Sequence, residues 1–506
     1  MDVILTSLVL LLLPAHADTA VIAQVGTFTI SVQDLKESFE FGPAFVRRAA
    51  DPVRTHLDYM IRERLIALEA MESNADTTAF VRERRAALEE DLAVDQLYER
   101  EVRSKVHVTE EEIATGMQKA RMHIRLRWLF GRDRSAAEAY SRQLRNGLSF
   151  DSLYARRMRI DDAEDRSLET TLLRLEHENA DFAEMIRSLR PREISAPLEG
   201  PDGFYIVRID MIWQDPLLTE SAAGDLRYES EKLIREGKAD LLAAEYVKHH
   251  MASANPVITA DGYNIVRAYL ADKGLSRDTR LKWEIPATFM TEAGPMPISG
   301  AGEFLNRPLV RFGKSTLTVR DYVAWFDIRQ FQLSTTSPGA FNSSIRRTIW
   351  KLVQDRLLSR EAYARNLHRP EAVRQELALW EAKLLYLVGR TRLLRSITLD
   401  DGRLRSTYQR YEHRYRDASG RLLSYTEALE EVRVDAYYDL ESSVLHREVD
   451  RLRKTYPVVL YEDRLRQLAL SYESDHQAIQ VMFYKPGGTF PRVAFPTIDE
   501  SWQRTP

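Results

Sequence analysis

The sequence has no cysteine. That excludes disulfides, thiolate metal sites, iron–sulfur clusters and a cysteine nucleophile together. It also lacks an excess of either charge: 72 Lys+Arg stand against 76 Asp+Glu in 506 residues, a net -4. This argues against a strongly basic nucleic-acid binder and against an acidic tail protein. No apolar run reaches the roughly 18 residues a membrane-spanning helix needs. There is no Walker A loop, no G-x-S-x-G and no H-E-x-x-H. Gly300-Ala301-Gly302 lacks a third glycine and a βαβ context, and is read as linker. His249 and His250 are neighbours, about 100° apart on a helix, whereas a metal pair needs i, i+4 spacing. No metal and no cofactor are expected.

What is present begins with the run Val3–Leu13, the breaker Pro14 and Ala15-His16-Ala17. Apolar core, breaker and A-x-A site read as a secretory signal cleaved after Ala17. The segment before the run holds Asp2 and no Lys or Arg, and a retained anchor or buried helix is the alternative. Export without cysteine points to a bacterial periplasm, with no integral membrane segment after cleavage. Hydrophobic residues make up 44 % and charged ones 29 %, enough for packed cores.

Val21–Ile30 is short and β-branched, with Gly26 placed to turn, and reads as a β-ribbon. Ser31 offers a helix N-cap with Asp34 three residues on. Leu57, Met60, Ile61, Leu65 and Leu68 form one face of a helix over 53–73, and a second long helix runs to about Arg103. Thr109 and Glu112 form a capping box for a third. From about residue 122 the pattern becomes β-α-α-α-β-β: strands at 124–130, 194–198 and 204–209, and helices at 135–146, 150–157 and 182–189. A long helix over about 222–251 follows, ending before Pro256-Val257-Ile258. The Pro/Gly-rich stretch 286–302 is the linker candidate.

The region beyond it repeats the N-terminal region. Gly26–Leu35 aligns with Gly313–Tyr322 at an offset of 287. The next helices align without a gap at an offset of 292: Arg64, Leu65, Glu69, Ala70 and Asn74 meet Arg356, Leu357, Glu361, Ala362 and Asn366. A helix over 425–454 running into Pro457-Val458-Val459 echoes the Pro256-Val257-Ile258 exit. The second copy has no α+β unit between its parts. The N and C parts of each copy are expected to pack together as one lobe.

Four segments carry a resemblance: Arg127-Trp128-Leu129-Phe130, Leu144–Phe150, Glu193–Leu198 and Gly203–Val207. With the order of parts, they resemble the SurA/PrsA/PpiD type of periplasmic folding factor, in which a parvulin-type peptidyl-prolyl isomerase domain is set within a helical chaperone region. The resemblance implies a chain that is mainly α with one α+β domain: two related SurA-N-like lobes and one inserted parvulin-like domain. The boundaries expected are 1–17 signal; 18–118 N part of lobe one; 119–212 parvulin-like domain; 213–262 C-terminal helix of lobe one; 263–307 linker; 308–410 N part of lobe two; 411–467 its C-terminal helix; and 468–506 tail.

In the parvulin-like segment the family's two histidines correspond to Arg127 and Tyr205, its Cys/Asp position to Asp161 and its prolyl-pocket aromatic to Phe182. Arg127 puts a fixed cation where an imidazole belongs, and Tyr205 lacks the second ring nitrogen. Weak or absent isomerase activity is therefore expected, with Phe182 still able to stack on a peptide. The implied function is a periplasmic chaperone binding unfolded or partly folded outer-membrane or secreted polypeptides, and no nucleic acid. An active parvulin-type isomerase and a structural subunit of an envelope complex are the alternatives.

Overall fold

The computed structural model describes residues 20–161, 166–200, 203–214, 220–285, 290–291, 294–295, 302–329, 331–474 and 496–503. The signal-like segment 1–17 and most of the stretch 286–302 lie outside them. The chain is mainly helical with small antiparallel sheets. It divides into two compact units, one of residues 98–253 and one of 1–97 with 254–506.

The chain enters through a ribbon, β1 (Val21–Val25) and β2 (Phe28–Ser31). Gly26 turns it at φ +55°, a left-handed conformation that suits a residue without a Cβ. Helix α1 (Val32–Glu40) starts on the Ser31–Asp34 capping box. Helix α2 (Pro52–Glu72) starts on Asp51 with a proline in its first turn, where the missing N–H costs nothing. Asn74 then turns at φ +54° before α3 (Ala79–Glu101).

The second unit holds α4 (Glu110–Ala120), β3 (Met122–Gly131), α5 (Arg134–Arg145), α6 (Phe150–Asp161), β4 (Ser167–Thr171), α7 (Leu172–Glu178), α8 (Ala180–Ile186), β5 (Leu198–Gly200), β6 (Gly203–Gln214) and α9 (Glu220–Ala254). Its sheet is antiparallel in the order β4-β3-β6-β5. The strand β4 and helix α7 are additional to the β-α-α-α-β-β pattern. Ser167–Thr171, without a glycine, pairs with β3 from His123 to Arg127.

The chain returns to the first unit through β7 (Val257–Ile258), α10 (Ala260–Gly274), α11 (Arg277–Lys282), the two-residue strands β8 (Met290–Thr291) and β9 (Gly294–Pro295), and α12 (Gly302–Leu305). The second ribbon follows, β10 (Pro308–Phe312) and β11 (Ser315–Thr318), then α13 (Val319–Arg329), α14 (Pro338–Ala364), α15 (Glu371–Leu394), α16 (Asp401–Tyr411), α17 (Leu429–Thr455), β12 (Val458–Leu460) and α18 (Glu462–Ser474). Residues 263–307, expected as a linker, thus begin inside a packed helix. Val266, Ala268, Leu270 and Ala271 of α10 are buried, and the helix lies on β10 and α13.

The repeat is visible in detail. The two ribbons have the same strand lengths and the same burial sequence, and each has one register shift at the same place, Val21/Ala23 and Pro308/Val310. Gly313 and Asn366 hold left-handed φ at +54° and +56°, matching Gly26 and Asn74. Thr318 and Asp321 repeat the capping box.

The third strand of each ribbon comes from the other copy. β12 pairs with β1, Ala23 opposite Leu460 and Val25 opposite Val458, while β7 pairs with β10, Val310 opposite Ile258. The expectation that the N and C parts of one copy share a lobe is thereby corrected. Core A contains β1, β2 and α2 of the first copy with α15, α17 and α18 of the second. Core B contains β10, β11, α13 and α14 of the second copy with β7 and α10 of the first. The exchange extends to helices: α15 packs on α2, where Gly389 leaves no room for a Cβ, which would lie 2.8 Å from Ile66 Cγ2. Reciprocally, Glu90 and Asp91 of α3 bond Arg356 of α14 and Arg329 of α13.

Within the expected tail 468–506, α18 runs on to Ser474, and the last described residues are packed. Ile498 and Trp502 are buried in core A, in contact with α2, α15 and α17.

Candidate functional site

The sheet of the second unit has two covered faces, and side chains alternate between them along each strand. Arg127 lies opposite Arg208, Trp128 opposite Val207, and Phe130 opposite Tyr205. One face carries Leu129 and Ile206, packed on Phe150, Leu153 and Tyr154 of α6. The other carries Ile124, Leu126, Val207 and Ile209, packed on Leu175 of α7 and on Ala183 and Ile186 of α8.

Trp128, Phe182, Tyr205, Leu168 and Leu198 rim the α7/α8 face and remain half-buried. The rings of Phe130 and Tyr205 are 5.4 Å apart at 59°. A Cβ at Gly200 would come within 2.6 Å of the Tyr205 ring, so this strand needs glycine to let the phenol lie against it. Phe182 is fixed at the start of α8, whose N-cap Asn179 accepts from its backbone N–H at 3.0 Å.

Of the four positions singled out in the sequence, the structure brings Phe182 and Tyr205 to one face. Arg127 is on the other, so Arg127 and Tyr205 do not form one site. Asp161 ends α6, and its side chain lies outside the described residues. Two residues of β3 share the α7/α8 face with Tyr205: Phe130, whose ring touches that of Tyr205, and Trp128, next to Arg127 in the chain. Strand parity relative to Tyr205 was the signal that could have found them.

Arg127 has another task. Its Nε bonds Asp210 at 2.5 Å and its Nη2 bonds Asp151 at 2.7 Å, while Arg208 reaches the same two carboxylates at 2.5 and 2.8 Å. The Arg127 guanidinium also lies 5.1 Å from the centre of the Tyr154 ring, and Arg208 lies 4.5 Å from that of Phe150. The Arg208 hydrogen bond is the main cause that holds the Asp151 carboxyl down at about 2. Two cations and two carboxylates thus tie β3 and β6 to α6 as a structural clamp.

A second recess, of about 400 Å³, lies among α4, α7 and α9. Lys119 pairs with Glu176 at 2.6 Å and Glu112 with Lys238 at 2.5 Å, and His177 Nε2 lies 3.5 Å from Glu236. His250 Nδ1 meets the Tyr246 carbonyl at 2.9 Å, and no group of metal-ligating side chains occurs among the described residues. No helix among them is long and apolar enough to cross a membrane.

No family model matches the chain, and no curated protein matches it. What the sheet domain can do follows from its side chains. At the rim of the α7/α8 face the half-buried Trp128, Phe182 and Tyr205 leave part of their aromatic surface exposed, which suits stacking against a polypeptide.

Proposed function

We propose that the protein is a polypeptide-binding chaperone of the bacterial periplasm, with a parvulin-like domain that binds peptide without isomerase chemistry. The observation that carries this reading is the aromatic rim of Trp128, Phe182 and Tyr205 on one face of the sheet, while Arg127 is engaged on the opposite face. The antiparallel β4-β3-β6-β5 sheet, with its first and last strands central, supports the domain assignment.

Catalysed prolyl isomerisation must lower a barrier of about 18–20 kcal/mol. That calls for groups converging on one amide, and Arg127 and Tyr205 diverge. Binding of extended chains needs apolar burial and no turnover. Clients would be unfolded or partly folded exported proteins, with outer-membrane proteins among them.

Two assays test this. The mature protein is expected to slow aggregation of an unfolded barrel protein, and Phe182→Ala with Trp128→Ala to weaken that effect. In a protease-coupled assay on a proline-containing tetrapeptide the rate should match the uncatalysed one. Failure to slow aggregation refutes the chaperone reading, and parvulin-level turnover refutes the loss of catalysis.

A further inference from the structure

Core A holds an aromatic slot that its own ribbon and helices do not fill. Trp502 occupies it, 1 % exposed. Its ring stacks on Tyr59 at 6.0 Å and on Tyr386 at 6.5 Å, meets His446 edge-on at 5.8 Å and lies 5.6 Å from the Arg62 guanidinium. Its indole N–H points to Glu63 Oε1 at 3.3 Å. The approach to the slot is polar and directional. The Asp499 backbone N–H donates to the same Glu63 oxygen at 2.7 Å, the Asp499 carboxylate lies 3.8 Å from Arg390, and Thr497 Oγ1 donates to the Ser38 carbonyl at 2.8 Å.

The repeat gives this slot its meaning. Glu63 corresponds to Asp355 at the offset of 292, and Asp355 also accepts an indole N–H, from Trp325 at 3.0 Å. Trp325 belongs to α13, the helix that directly follows the core B ribbon. In the first copy the matching position, at the offset of 287, is Ser38. Core A therefore keeps the acceptor but has no indole of its own on α1. It receives one from residues beyond α18, which is the last helix that the two copies share.

We propose that this slot is a peptide-binding site, which residues 496–503 occupy in cis and which takes from a client a segment bearing an aromatic side chain three residues after a carboxylate. The inference rests on the chaperone reading above and names where such a segment would dock. Glu63 recognises a backbone N–H and a ring N–H, Arg390 the carboxylate, and Tyr59 with Tyr386 the ring. An aromatic anchor in a desolvated pocket is the kind of group that dominates peptide affinity. The cis segment holds the slot through its high effective concentration, so a client competes with it.

The test uses the full-length protein and a fluorescein-labelled peptide of sequence Pro496–Gln503. The Trp502→Ala protein is expected to bind the peptide about tenfold more tightly than the wild type does, because the cis anchor no longer competes. Glu63→Gln in the Trp502→Ala background should reverse that gain, and an unfolded barrel protein should displace the peptide. A folded Trp502→Ala protein that binds no better than the wild type overturns the proposal. Binding that unfolded chains do not displace overturns the client assignment. Should Trp502→Ala fail to melt cooperatively, Asp499→Ala loosens the approach and leaves the ring intact. A folded Asp499→Ala protein that binds no more peptide than the wild type also overturns the proposal. Suppression of aggregation by the wild-type protein, measured alongside, reports on the chaperone reading separately.

Discussion

Lys383 lies 2.8 Å from Glu63 in core A, and the residues in the corresponding places of core B, Asp91 and Asp355, are both acids. Arg329 resolves the clash, at 2.5 Å from Asp91 and 3.6 Å from Asp355. The two cores share a buried carboxylate and differ in which helix neutralises it. Core A uses a lysine on α15; core B uses Arg329 at the end of α13 together with Lys351 of α14, which lies 3.3 Å from Asp355.

Lys383→Met should leave Glu63, whose side chain is 4 % exposed, as an uncompensated buried charge. Such losses cost about 3–5 kcal/mol. The unfolding free energy from urea titration should fall by about that much, and a loss under about 1 kcal/mol would mean that the indole and the Asp499 N–H suffice for Glu63.

The crossed strands can be tested by engineered pairing, and the absence of native cysteine keeps the experiment clean. Gln24 faces Val459, and Arg311 faces Val257. Antiparallel neighbours of either kind have Cα atoms about 4.5–5.5 Å apart, within disulfide reach. Gln24→Cys with Val459→Cys, and Arg311→Cys with Val257→Cys, should crosslink within one chain on oxidation, as read by gel mobility and peptide mass. Gln24→Cys with Val257→Cys should not.

His56 predicts a pH dependence. It is fully buried, with Nε2 2.8 Å from Ser38 Oγ. Burial is the main cause that pushes its pKa down to about 4, and the Lys383 and Arg47 cations add to it. An unfolded imidazole titrates near 6.5, so the unfolded chain takes up the proton first. The contribution is complete above pH 6.5 and is lost as pH falls towards 4, about 3 kcal/mol in all. Unfolding midpoints between pH 7 and 4 should fall more steeply for the wild type than for His56→Gln; parallel curves would refute this.

On the proposed reading, histidines at positions 127 and 205 should not create isomerase activity. Arg127→His with Tyr205→His places the two imidazoles on opposite faces of the sheet. The protease-coupled rate should stay at the uncatalysed value. The double variant should also lose stability, because Asp151 and Asp210 lose one of their two guanidinium partners.

The repeat was legible because it rests on local chemistry: a left-handed turn at Gly26 and Gly313, a capping box at Ser31 and Thr318, and apolar stripes in matching order. Which ribbon each exit strand joins was not legible. Val257–Ile258 and Val458–Leu460 are short and β-branched alike, and nothing in their pattern distinguishes two nearly identical ribbons. Helix α10 was hidden because the proline- and glycine-rich stretch after it drew the linker boundary back over Ile265 to Leu270. At the candidate site, Tyr205 and Phe182 were found through the resemblance. Trp128 was missed because matching segments by order ignores parity, and a single step along β3 exchanges one face of the sheet for the other.

The crossing of β1 and β12 also sets an order of events during synthesis. A ribosome delivers Val21–Val25 long before Val458–Leu460, so the first ribbon waits for its third strand until all of the chain between Val25 and Val458 has been made. Core B can assemble its sheet much earlier, once β7, β10 and β11 have emerged. A premature stop anywhere before residue 458 leaves β1 with a bare edge, open to pairing with another chain.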